Sequence, residues 1–273
     1  MDDADQQNFL EDLDYDLWAM LKRKPAAEVT DTSDVPRLDD AALTYPAPGR
    51  DEPNKVKRLS TCVLYVDIRD SSQLTAAQRP QRLARVYAAF VYAMVTCARR
   101  AGGHVRNIIG DRVMVVFDPV DCFAGAFEAA RLCNTAAQRM LHHRVKQFDF
   151  RCGIGVDYGT MLVVKAGVPR RGGEAEFYRS LVWLGRPANV ASKLTDVAGK
   201  RVEASGGETS PTAHGAGLTP AVYPPVLITS TVLEGLRDDL GEDDPACAGW
   251  TTQPIEVPGF GGRVYGADPL LAV

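Results

Sequence analysis

Two aspartates stand where a metal ion and a phosphate could meet. Asp67 closes an apolar, β-branched run, Cys62 to Asp67, that reads as a buried strand. The small polar residues Asp70, Ser71 and Ser72 follow, and then a helical pattern. In α/β proteins the carboxyl edge of a strand beside a helix start is where phosphates and metals are usually held. Asp111 sits in a Gly110-Asp111 turn between two further apolar runs, Val105–Ile109 and Val113–Phe117, a β-hairpin signature. If the two strands are neighbours, the carboxylates lie side by side. They repel, and one pKa rises unless a cation sits between them. An oxygen-seeking divalent ion, Mg²⁺ or Mn²⁺, held together with substrate phosphates suits such a pair. The competing reading is two turn aspartates in solvent. Farther on, Asn189 and Lys193 are four apart in a helical pattern and so share one face; alternatively, that face is simply solvated.

The elements that must position these residues follow in order. Gln78–Arg100 carries Leu83, Val86, Tyr87, Phe90, Val91 and Met94 at helical spacing and ends on Ala101-Gly102-Gly103. Asp121–Val145 reads as a second helix, with His142-His143 as a polar terminus rather than a ligand pair, since adjacent residues diverge on a helix. Phe148–Val164 reads as strand, Gly-rich turn, strand, and residues 169–174 as an exposed hairpin tip before a strand over Phe177–Leu184. Pro187–Ala198 is a helix with proline in its first turn, where a missing N–H costs least. The Gly-, Ser-, Thr- and Pro-rich stretch Val202–Pro225 reads as a mobile surface loop. A short strand at Leu227–Ser230, a short helix at Thr231–Leu236 and closing strands around Trp250, Ile255, Val257, Val264 and Tyr265 complete the pattern.

Before the first aspartate lie two other segments. Residues 1–24 form an amphipathic helix, with Phe9, Leu10, Leu13, Leu17, Trp18, Met20 and Leu21 among acids and a basic end; it suits docking on its own domain or on a dimer partner. Residues 25–58 are polar and punctuated by proline, a linker or surface-hugging arm whose one sticky point, Tyr45, could close over a neighbouring active site. Residues 59–273 then form the main domain, which carries both aspartates.

Composition narrows the class. A chain of 273 residues with 45 % apolar content supports one sizeable core plus an appendage. A net charge of −4 gives no footprint for nucleic acid. No apolar run approaches the roughly 18 residues of a membrane span, and the acidic N-terminus lacks a signal-peptide pattern, so membrane insertion is not expected. The six cysteines lack metal-type spacing and read as reduced core residues of a cytoplasmic protein.

Three ordered motifs carry a resemblance. Val63-Leu-Tyr-Val-Asp-Ile-Arg-Asp-Ser-Ser-Gln-Leu74 resembles the first metal motif of the class III adenylate/guanylate cyclases, Ile109-Gly-Asp-Arg-Val-Met114 the second, and Leu184-Gly-Arg-Pro-Ala-Asn-Val-Ala-Ser-Lys-Leu194 the catalytic helix. The likeness runs from about Leu59 to Gly266. It implies an α+β, ferredoxin-like domain (a βαββαβ core with a dimerisation hairpin arm) that pairs head to tail as a homodimer with two composite sites. It also implies two Mg²⁺ or Mn²⁺ ions per site on Asp67, Asp111 and the Ile68 carbonyl, with the amides of Asp70, Ser71 and Ser72 on the β- and γ-phosphates. Asn189 would position the ribose and Lys193 would steady the transition state. The family has Arg at the last position and Gly-Phe-Thr where this chain has Asp70-Ser71-Ser72, so a bidentate fork is lost at one place and a carboxylate gained at the other.

Base recognition departs from the purine cyclases. The resemblance places the base-reading pair at Asn107 and Val182. Valine offers neither acceptor nor donor, whereas one amide against an apolar wall suits a smaller base. Uracil and cytosine both stay open, with UTP favoured because uracil's alternating edge matches one amide. With the Asp-Ile-Arg-x-Ser-Ser form of the first motif, the chain resembles the stand-alone bacterial pyrimidine cyclases of anti-phage (Pycsar) defence, which make cyclic UMP or cyclic CMP for a separate effector protein. The alternatives are a divergent adenylate cyclase with a rewired base pocket and a catalytically inactive, cyclase-like dimerisation module.

Overall fold

The structure, a computed structural model, describes residues 3–22, 27–46, 52–145, 148–167, 179–201 and 222–272. The chain forms two compact units, one of Met1–Leu59 with Thr160–Gly185 and one of Ser60–Gly159 with Arg186–Val273.

In the first unit, α1 (Asp3–Lys22) leads into β1 (Ala27–Asp31). The acid-flanked apolar stripe of α1 is exposed, Leu21 to 82 % and Phe9 to 58 %, and is not covered by the described residues. Strand β1 pairs in parallel with the first residues of β2 (Asn54–Ile68), and Arg58 grips Asp31 through Nε and Nη2 at 2.7 and 3.0 Å. The segment read as a linker therefore contains a strand, and β2 starts eight residues before Cys62. The arm between them is anchored. Val35 and Leu43 are buried, Lys57 meets Asp40 at 2.5 Å, and Lys165 Nζ donates to the Asp40 carbonyl at 2.7 Å. Tyr45 lies beneath two cations, Lys165 at 5.5 Å and Arg179 at 5.4 Å from its ring centre. The far half of β5 (Cys152–Gly167) pairs antiparallel with β6 (Arg179–Leu184). The hairpin tip expected at 169–174 and most of the loop expected at 202–225 lie outside the described residues.

The second unit holds α2 (Ser71–Ala77), α3 (Pro80–Arg100), β3 (His104–Ile109), β4 (Arg112–Val116), α4 (Cys122–Thr135), α5 (His142–Arg144), α6 (Arg186–Val197), β7 (Val226–Thr229), α7 (Ser230–Leu240), β8 (Ile255–Val257) and β9 (Phe260–Ala267). Its strands run in the order β3-β4-β2-β5-β7-β9-β8. The β2-α3-β3-β4-α4-β5 succession within that order is the ferredoxin-like core. Side chains alternate across the sheet. Val226 and Ile228 join Phe90, Met94, Ala126 and Ala130 in the large cluster beneath α3 and α4, whereas Leu227 joins Val190 and Leu194 of α6 on the other face.

Two local expectations give way to tertiary packing. The glycines of Cys152–Gly159 make no turn, because β5 runs unbroken through them. A Cβ on Gly155 would come within 2.3 Å of the Ala191 carbonyl oxygen and 2.5 Å of the Thr195 nitrogen, and one on Gly153 within 2.4 Å of the Ala198 carbonyl. Glycine is there so that the α6 backbone can lie against the strand. The helix expected over Asp121–Val145 has a π-helical stretch at Ala136–Leu141. Beside it, Asn134 Nδ2 donates to Asp268 Oδ1 at 2.7 Å and to the Pro269 carbonyl at 3.0 Å.

Candidate active site

Asp67 is the penultimate residue of β2, and Asp111 occupies the two-residue turn between β3 and β4. Gly110 takes φ 63°, a conformation that costs glycine nothing and that tight hairpin turns demand. Because β2 pairs with β4, the turn falls beside the end of β2. There the Ile68 N–H donates to Asp111 Oδ2 at 3.2 Å. Burial pushes the Asp111 carboxyl up to about 6, and the hydrogen bond and charge of Asp67 push the same way. The structure thus brings the two carboxyl groups together in a half-buried place where they oppose each other's ionisation.

Arginines answer that opposition. Arg112 donates to Asp67 Oδ2 from Nη2 at 2.8 Å and from Nε at 3.3 Å. Its fork continues to α6, with Nη1 to Ser192 Oγ at 3.0 Å and Nη2 to Asp196 Oδ1 at 2.5 Å. Burial pulls the Arg112 pKa down, but its bonds to Asp196 and Asp67 outweigh that and leave it above its usual value. Arg69 is 4 % exposed, lies 3.4 Å from Asp67 Oδ2, and donates from Nη1 to the Asp196 carbonyl at 3.2 Å. Burial lowers its pKa against the pull of Asp67. Sequence reasoning missed both arginines and their α6 partners. The available signals were that each follows a site aspartate within two residues and that Ser192 and Asp196 are four apart on α6.

The other residues singled out from the sequence are placed as follows. Ser71 and Ser72 open α2 and Asp70 is its N-cap residue, one residue beyond Asp67, Ile68 and the buried Arg69, and Asp70 takes φ 56°. The family's glycine at that position thus gains a physical reason: the turn is left-handed, and Asp is among the few side chains that tolerate it. Asn189 and Lys193 are exposed on α6, whose opposite face buries Val190, Ala191 and Leu194, and Lys193 Nζ donates to the Gly259 carbonyl at 3.1 Å. Asn107 is exposed on β3, opposite Met114 and beside a bulge at Arg106. Val182 is half-buried on β6, opposite Val164, in the first unit.

The Asp67–Asp111 pair fits a divalent cation by its chemistry: hard carboxylate oxygens whose mutual repulsion a cation would relieve. Among the described residues no cluster of three or more His, Cys, Asp or Glu side chains could hold a metal. Substrate oxygens, backbone carbonyls and water must therefore complete any shell. Among the described residues no helix is long and apolar enough to cross a membrane.

The chain is similar to known proteins in both fold and sequence. In fold, the chain is similar to the adenylyl cyclase CyaB from P. aeruginosa, with a TM-score of 0.53 and 18 % identity over 78 % of this chain and 95 % of that one. In sequence, it is 31 % identical over 179 residues to a uridylate cyclase of Burkholderia cepacia, covering 63 % of this chain and 72 % of the relative. It is 29 % identical over 211 residues to a uridylate cyclase of Gulbenkiania mobilis, covering 71 % and 70 %. No family model matches the chain. The fold is that of a class III nucleotide cyclase domain. Within that class the chain belongs to the family of these uridylate cyclases and is a nucleotide cyclase.

Proposed function

We propose that the protein converts UTP into 3′,5′-cyclic UMP and pyrophosphate. The ribose 3′-hydroxyl attacks the α-phosphorus, loses its proton, and the bond to the bridging oxygen of pyrophosphate breaks. Charge grows on the phosphoryl oxygens and the leaving group, so the reaction needs positioning and electrostatic stabilisation. Asp67 and Asp111, with the Ile68 carbonyl, would hold two Mg²⁺ or Mn²⁺ ions. Such ions, when bound, acidify the attacking hydroxyl and neutralise the triphosphate.

This chain's own groups do the rest. The amides of Asp70, Ser71 and Ser72 face the β- and γ-phosphates. Asn189 orients the ribose and Lys193 meets the growing charge, both supplied by the partner of a head-to-tail homodimer. Lys193 gives up only a neutral carbonyl to do so. Asn107 reads the pyrimidine edge, its amide both donating and accepting. The product serves a separate effector protein in anti-phage defence in the cytoplasm, where the six free cysteines stay reduced.

The observation that carries this reading is the paired Asp67 and Asp111, in a chain whose similar relatives are named uridylate cyclase. The test is to incubate the purified protein with Mn²⁺ and each of the four ribonucleoside triphosphates separately, resolving the products by mass. Cyclic UMP alone is expected. Cyclic CMP alone would keep the mechanism and move the base. Cyclic AMP alone would overturn the roles of Asn107 and Val182, and no product from any base would favour a non-catalytic module.

A further inference from the structure

Arg112 joins two parts of the site that are remote in sequence. Its Nε and Nη2 donate to Asp67, 45 residues back, while Nη1 reaches Ser192 and the same Nη2 also reaches Asp196, 80 and 84 residues on. Asp196 is tied a second time, since its backbone carbonyl receives Arg69, whose Nη2 lies 3.4 Å from Asp67. Helix α6, which bears Asn189 and Lys193, is thus fastened to the carboxylate at the end of β2 by two guanidinium bridges. Beneath it, the glycines of β5 let it approach, and the Thr195 hydroxyl adds a bond to the Tyr65 carbonyl of β2 at 3.2 Å.

We propose that Arg112 is a positioning residue that competes with metal for Asp67 while holding α6 in its working orientation. The inference rests on the assignment of Asp67 as a metal ligand. Oδ2 of Asp67 cannot serve both a bidentate guanidinium and a divalent ion at full strength. When a cation draws Asp67 away, Arg112 keeps Asp196 and Ser192, so the anchor on α6 persists and its load shifts toward the helix. Arg112 thereby weakens metal binding and speeds turnover, two effects of opposite sign from one side chain. A residue that merely stabilised the fold would move both in the same direction.

The experiment uses the full chain. Mn²⁺ affinity is read from the paramagnetic resonance of free Mn²⁺, alongside kcat and KM for UTP. Arg112→Gln should bind Mn²⁺ about tenfold more tightly, as when one charge-assisted hydrogen bond no longer opposes the ion. Its kcat should fall with KM for UTP little changed. Asp196→Asn should also lower kcat but weaken Mn²⁺ binding, because Arg112 then turns wholly to Asp67. Arg112→Lys guards against a folding failure: it keeps the charge and loses the fork, so kcat should fall while Mn²⁺ affinity stays near that of the parent. An Arg112→Gln protein with unchanged kcat, or with weaker Mn²⁺ binding, would overturn the proposal. Asp67→Ala separates this from failure of the underlying assignment, for if that variant binds Mn²⁺ as the parent does, Asp67 is no metal ligand whatever Arg112 does.

Discussion

The backbone N–H of Ile68 donates to the carboxylate of Asp111 at 3.2 Å, and so clips the β3–β4 turn to the last residue of β2. The bond sets the separation of the two site carboxylates without using their charge. Asparagine at 111 can still accept it through its amide oxygen. Asp111→Asn should therefore fold and, in metal-free buffer, melt at or above the parent temperature, since the repulsion with Asp67 is gone. Its turnover should fall roughly a thousandfold, the several kcal/mol of charge stabilisation a bound ion supplies. Thermal unfolding and cyclic nucleotide production on the same sample check both halves, and near-parental activity would remove Asp111 from the metal site.

Asp70 is a second case in which backbone and charge can be separated. Its φ of 56° is costly for a side-chain-bearing residue, and no side-chain capping bond from Asp70 to α2 offsets it. Asp70→Gly should raise stability by about 1 kcal/mol and keep the cyclase active. Asp70→Val, branched at the β-carbon, should lose stability instead. Urea unfolding of the three proteins gives the order. A Gly variant no more stable than the parent would mean that the carboxylate makes up for the strain elsewhere.

Much of the site was legible because its signals are local. Asp67 ends an apolar run, Asp111 sits in a Gly-Asp turn, and both patterns need only a few neighbouring residues to be read. What was not legible depends on distant partners. Arg112 stands next to Asp111, but nothing in its own neighbourhood says that its partners will be Asp67 and Asp196. Strand β1 escaped because all five of its residues are exposed, which removes the alternation that marks a half-buried strand. The glycines of β5 misled for the opposite reason. They are a strong turn signal locally, and only the closeness of the α6 backbone reveals why they stand in a strand. A helix stands where the apolar residues of α1 were expected to form one, but their spacing alone does not say what covers them.

Gly155 tests that closeness. An alanine methyl there would meet the Ala191 carbonyl and the Thr195 nitrogen, backbone atoms that cannot swing aside as a side chain would. Gly155→Ala should destabilise by roughly 3 kcal/mol, near the upper end for overpacking. Any protein that folds should show lowered kcat, because α6 carries Asn189 and Lys193. Gly110→Ala is the instructive contrast: a Cβ there meets nothing within 4 Å, so its cost is confined to the positive φ. The urea midpoint of Gly155→Ala should therefore lie well below that of Gly110→Ala, and equal midpoints would refute the packing explanation.

Asp157 gives the pH dependence a definite sign. It is fully buried, and Oδ1 accepts the Thr229 hydroxyl at 2.7 Å, while Oδ2 has no hydrogen-bond partner among the described residues. Burial raises its pKa above 3.8, against the weaker pull of Thr229 and of the Arg186 charge. A carboxyl whose folded pKa is raised holds its proton more tightly folded than unfolded. Its ionisation therefore costs stability at neutral pH. That cost is relieved as pH falls through the folded pKa and is gone once the unfolded carboxyl is also protonated, below about 3.8. Asp157→Asn removes the ionisation while keeping an oxygen for Thr229. Its urea midpoint should exceed the parent's at pH 7, with the gap narrowing steadily on acidification toward pH 4. A gap that stays constant across that range would mean that the Asp157 carboxyl holds its proton equally well folded and unfolded, its burial fully offset by Thr229 and Arg186.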